Sequence, residues 1–145
     1  MAGPVDTEEQ AILNGVIQDP AYAGYATLYI GLSSTTPTET GTNFTEPSGG
    51  NYGRISTAAA DWGAASGSAP ATKSNTAPKP FSAANADWAA GANMTHFGLF
   101  TASSGGTPVW WGALTTPKPV LNGDTPSFAI GALVLKLGDP ADAYT

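Results

Sequence analysis

Cysteine is absent from the 145 residues, and histidine occurs once, at His96. Disulfides, thiolate metal sites and cysteine nucleophiles are therefore excluded. A transition-metal centre is disfavoured by the same shortage. Charge is scarce as well: 11% of residues are charged, against about 25% in an ordinary soluble protein. The five cations, Arg54, Lys73, Lys79, Lys118 and Lys136, are scattered through a chain of net charge −6. With no basic cluster to neutralise several phosphates, nucleic acid is a poor partner. No apolar run approaches the ~18 residues of a membrane helix. Met1 to Asp19 lacks the basic-then-apolar order of a secretory signal. These features predict synthesis in a reducing cytosol, with no membrane partner.

Glycine (18) and proline (12) are abundant, and four tryptophans help bring the aromatic share to 10%. Low charge with many aromatics favours a folded core over a charged disordered chain. The composition reads as turn-rich and all-β. One short helix is predicted over about residues 7–18. Thr7 with Gln10, or Asp6 with Glu9, matches a capping box, and Asp19-Pro20 ends the run. Ile12, Leu13, Val16 and Ile17 form a stripe at helical spacing that should pack on a sheet.

Residues 25–32 alternate, with Leu28, Ile30 and Leu32 on one face and Tyr25, Thr27 and Tyr29 on the other. Further strands read at 51–57, 94–101, 109–114, 127–130 and 132–137, and Pro78 and Pro80 demote a short one at 72–81 to an edge. Residues 33–50 read as one long Ser/Thr/Pro/Gly loop, and 138–145 as a polar tail. The expectation is a single domain over 1–145, with a β core at about 25–137. Its fold would be an antiparallel β-sandwich or barrel with one N-terminal helix. Alternation assigns Leu28, Ile30, Leu99, Trp111, Phe128, Leu133 and Leu135 to the core, with Phe97 and Phe100 near them. Ala60-Asp61-Trp62 recurs as Ala86-Asp87-Trp88, read as two similar turns with a tryptophan packed at a rim.

The chain offers little for catalysis. His96 lies mid-strand and reads as structural. A triad can be drawn from Ser33 or Ser103, His96, and Asp87 or Asp124, but no Gly-x-Ser-x-Gly elbow accompanies it. The carboxylates fall mostly in turns, caps and tails. No calcium loop is present, and the glycines of 48–53 lack the lysine of a phosphate cradle. The expectation is no enzyme, no metal and no cofactor. Assembly contacts are expected instead from three segments too polar to build a core: 1–5, 33–50 and 139–145. The candidate residues are Pro4, Val5, Thr36, Pro37, Phe44, Asp139, Pro140 and Tyr144.

One ordered series of motifs is family-like. Thr95-His96-Phe97-Gly98-Leu99-Phe100 is followed by Gly105-Gly106, then Trp110-Trp111-Gly112-Ala113-Leu114-Thr115, then Gly123-Asp124-Thr125-Pro126-Ser127-Phe128. With Thr27-Leu28-Tyr29-Ile30-Gly31-Leu32-Ser33 and Gly50-Asn51-Tyr52-Gly53-Arg54 upstream, the chain resembles a family of small tailed-phage virion proteins of the actinobacteriophage type. Members are often labelled tail fibre or minor structural protein. The resemblance covers about residues 7–137. It implies a non-enzymatic virion component made in the host bacterial cytoplasm. A compact acidic domain suits a capsid decoration protein on the outer capsid surface. Its partners would be the major capsid protein and copies of itself, with a trimer expected. The alternative is a tail, tail-tip or fibre component, including a host-binding module. A remote alternative is a carbohydrate-binding or carbohydrate-active domain.

Overall fold

In the structure, a computed structural model, residues 3–16, 23–67 and 71–137 are described. The elements run β1 (Gly3–Pro4), α1 (Asp6–Val16), β2 (Thr27–Ser33), β3 (Ile55–Ala58), β4 (Ala71–Ser74), β5 (Lys79–Pro80), β6 (Met94–Phe100), β7 (Pro108–Lys118), β8 (Ser127–Phe128) and β9 (Val134–Leu137). Short 3-10 turns occupy Ala59–Asp61 and Trp88–Gly91. All strand pairs are antiparallel. They build one five-stranded sheet in the order β1-β7-β6-β2-β3 and two ribbons, β4-β9 and β5-β8. The fold is all-β with one short N-terminal helix, as the composition predicts.

Period-2 alternation positions the core. Ile30 pairs with Leu99 and Leu32 with Phe97 across β2 and β6, so these four share a face, and all four are buried. Phe81, Trp88, Val120 and Leu133 close over them from the ribbon side. Leu28, Phe128 and Leu135 pack against this cluster half-buried. Asn75 ties the far layer together. Its Oδ1 accepts from the Leu133 amide (2.9 Å) and its Nδ2 donates to Ala77 O and Ala129 O. A side chain that satisfies three backbone groups replaces ladder bonds that such short ribbons cannot supply.

Three expectations are corrected. Trp110, opposite Leu99, packs on the core, whereas Trp111, opposite Gly98, lies on the other face of the sheet. Neighbours in a strand point to opposite faces, and the paired residues decide which is which. Phe100 is buried, but also on that second face. The helix begins at Asp6, with the Val5 carbonyl accepting from the Glu8 and Glu9 amides at 2.9 and 3.0 Å, so Thr7 sits inside the first turn. The helix docks through its N-terminal end: Val5 is buried, and the Tyr25 hydroxyl donates to Glu8 Oε2 at 2.8 Å. Leu13 and Val16 stay exposed, at 68% and 75%. Ile17 lies outside the described residues, as do 18 and 138–145.

Candidate assembly surfaces

The second face of the sheet is paved with glycine. Gly31 and Gly98 are directly paired and both are buried. A Cβ on Gly98 would meet the Phe44 ring at 2.5 Å, and one on Gly31 would meet Glu46 Oε1 at 2.6 Å. The cleared space receives the 34–54 segment. Phe44 sits edge-on to Phe100 at 4.9 Å between centroids. The Arg54 guanidinium lies 3.5 Å above the Phe100 ring, an arrangement favoured by the ring quadrupole. Arg54 also grips both oxygens of Glu46, with Nε to Oε1 at 2.9 Å. The Tyr52 hydroxyl donates to Glu46 Oε1 at 2.6 Å and accepts from the Leu32 amide at 3.0 Å. Burial and the Glu46 carboxylate both hold the Tyr52 phenol protonated, well above its ordinary range.

The same segment is bonded along its length. The Ser34 amide donates to Thr45 O, the Thr38 amide to Thr42 O and the Thr45 amide to Ser33 Oγ. It also meets the N-terminus. The Asp6 amide donates to Glu39 O, and the Val5 amide donates to Val109 O on the edge of β7. Two of the three segments expected to make assembly contacts therefore converge within the chain. Pro4 is half-buried in β1 opposite Trp110. Val5 and Pro37 are buried, Phe44 is half-buried, and Thr36 is exposed. Asp139, Pro140 and Tyr144 lie outside the described residues. What composition missed is the glycine pair. Two glycines in adjacent strong strands are the sign that something else must fill that face.

The residues of the possible triad do not form one. Ser33 stands opposite His96 in the ladder, but its fully buried hydroxyl donates to Thr35 O at 2.8 Å and accepts from the Thr45 amide. His96 Nδ1 lies 2.8 Å from Thr95 Oγ1, with the ring 5.8 Å from Trp111. Burial pushes its pKa down, favouring the neutral imidazole. Asp87 and Asp124 are spent on turns, accepting from the Asn122 and Leu121 amides. The repeated Ala-Asp-Trp motifs both sit at 3-10 turns, Asp61 ending one and Asp87 preceding the other. Each indole donates a hydrogen bond, Trp62 Nε1 to Thr57 Oγ1 five residues back and Trp88 Nε1 to the distant Gly50 O. Asp61 caps Ala58 and pairs with Lys79 at 2.6 Å, which holds its carboxyl below the usual range. Trp88, however, is deep in the core rather than at a rim.

Two of the hollows on the surface are lined by described residues. One, of about 170 Å³, is walled by Tyr25, Leu28, Trp62 and Lys73. Its polar atoms are engaged: Trp62 Nε1 with Thr57, and Lys73 Nζ with Gly63 O at 2.8 Å. The other, of about 440 Å³, lies between β7 and β8 over Leu32, Met94, Phe97, Val120 and Phe128. It exists because β7 leaves the ladder. His96 pairs with Ala113 but Met94 pairs with Lys118, so four residues of β7 bulge out opposite one of β6.

The five-stranded antiparallel sheet is covered on both faces by the chain's own segments, with an exposed bulge in β7. A family model described as podophage GP4 fiber I protein gp80 matches residues 4–136. The chain belongs to that family and is a bacteriophage structural protein of the virion. No curated protein matches it.

Proposed function

We propose that the protein is a fibre-type component of the virion that acts by making contacts, with no catalytic step. The family match over residues 4–136 carries this reading. The geometry supports it: the chemistry-bearing side chains Ser33, Asp61, Asp87 and Asp124 are each engaged in holding a turn or loop. The partners in this reading are neighbouring virion subunits, copies of the chain among them. The aromatic hollow at Tyr25 and Trp62 gives the carbohydrate reading little support, because a sugar needs free polar partners and that lining offers few.

Capsid decoration is the second reading, favoured by the neutral Thr/Ser/Ala/Gly composition. Copy number separates the two, because symmetric assemblies fix the number of sites. Quantitative gels of purified virions should give a few to a few tens of copies for a fibre component. Hundreds of copies would move the protein to the capsid shell. The mass of the purified species in solution tests the expected trimer in the same samples.

A further inference from the structure

The 440 Å³ hollow beneath the β7 bulge has the features of a strand-receiving groove. Its floor is apolar, formed by Leu32, Met94, Phe97 and Phe128. Thr115 and Thr116 stand on its wall, exposed and outside the ladder register with β6. Lys118 closes the rim, exposed and without an ion pair among the described residues, in a chain of net charge −6. An occupant must therefore be extended, offer backbone groups, bring an apolar anchor and carry negative charge.

We propose that the occupant is the 138–145 segment of a second copy. That segment reads Gly-Asp-Pro-Ala-Asp-Ala-Tyr-Thr, with two carboxylates, no cation and one aromatic. In an extended chain Asp142 and Tyr144 point the same way, which directs Tyr144 to the apolar floor and Asp142 to Lys118. The path of the chain favours docking between copies. Ala132 lines the groove, and β9 runs on from Val134 to Leu137 along β4, so return to the same groove would need a reversal over the whole ribbon. Eight extended residues reach about 26 Å, enough to cross to a second copy. The proposal holds for a fibre or a capsid location alike.

The absence of cysteine makes the test direct. Thr116→Cys and Tyr144→Cys are placed on separate full-length chains of distinguishable mass, mixed, and oxidised. The pair Ser104→Cys with Tyr144→Cys, which puts the first thiol in the exposed turn after β6, is the control. We expect at least about tenfold more mixed disulfide dimer than the control gives, because docking raises the effective thiol concentration. Lys118→Glu in the Thr116→Cys chain should lower that yield by roughly fivefold. Circular dichroism identical to the parent establishes that each variant is folded. A yield equal to the control overturns the proposal. So does a chain carrying both cysteines that closes an internal disulfide in preference to joining two copies.

Discussion

The two faces of the five-stranded sheet are buried by different means. On one, Ile30, Leu32, Phe97 and Leu99 meet Trp88 and Leu133 in an apolar cluster. On the other, Gly31 and Gly98 clear space beside Phe100, and the 34–54 segment is fastened over it through Phe44, Tyr52, Glu46 and Arg54. The first face follows from the hydrophobic effect and should fail chiefly through lost volume. The second depends on close approach and on a set of hydrogen bonds around one carboxylate, so it should fail through added volume or lost polarity. The difference teaches that a polar, Thr-rich stretch can be a built part of a domain when the sheet beneath it makes room.

The largest effect should come from the apolar face. Leu99→Ala is expected to cost about 2–5 kcal/mol of unfolding free energy in denaturant titrations. On the glycine face the sign of the volume change reverses. Gly98→Val should cost about 1–3 kcal/mol by overpacking. The clash is with the Phe44 ring, so the double variant Gly98→Val with Phe44→Ala should be more stable than additivity allows. Strict additivity would mean that Phe44 does not rest on Gly98.

Tyr52→Phe sharpens the polar half of the comparison. It removes the acceptor of the buried Leu32 amide and a donor to Glu46, at about 1–3 kcal/mol. It should also change the alkaline limb. The folded pKa values of Tyr52 and Tyr25 are raised, Tyr25 to about 12, from an ordinary value of 10.0. Raised values mean stability that is intact below pH 10 and declines as pH climbs through the folded values. Tyr52→Phe should flatten that decline, as followed by thermal melts from neutral pH upward.

The smallest effect belongs to His96. Its folded pKa is lowered from 6.5 by burial beside Trp111. The associated stability is present above pH 6.5 and is lost as pH falls through the folded value. His96→Gln should remove that acid-side slope while leaving the melt at pH 8 nearly unchanged. An unaltered slope between pH 7 and pH 5 would show that another group titrates there.

Much of the architecture was legible because β2, β6 and β7 alternate strongly and their turns carry Gly105-Gly106 and Asn122-Gly123. The ribbon strands were read in place at 72–81, 127–130 and 132–137, but not their pairing as β4-β9 and β5-β8. Strands of two to four residues such as β5 and β8 leave no period to read, and their positions are held by Asn75 and by turns. Helix packing was misjudged because spacing identifies an apolar stripe but not what lies beside it, and Leu13 and Val16 face outward. Residues 33–50 are the loop that the sequence predicts, but how that loop is held was not legible. Its composition is that of a loop, and only the glycines opposite it, on strands distant in sequence, disclose that it is held. The family motifs were visible because they lie in the best strands.

Hydrogen exchange on the isolated protein tests the central contrast most directly. If the glycine face carries a fastened cover, the amides of Leu32, Ser34 and Thr45, which donate to Tyr52 Oη, Thr45 O and Ser33 Oγ, will exchange slowly, within reach of the β6 amides. Gly98→Val should speed Ser34 and Thr45 while leaving β6 protected. Exchange of Ser34 and Thr45 in the wild-type chain at the rate of an unstructured peptide, beside a protected β6, would contradict the account and leave residues 33–50 an unfastened loop.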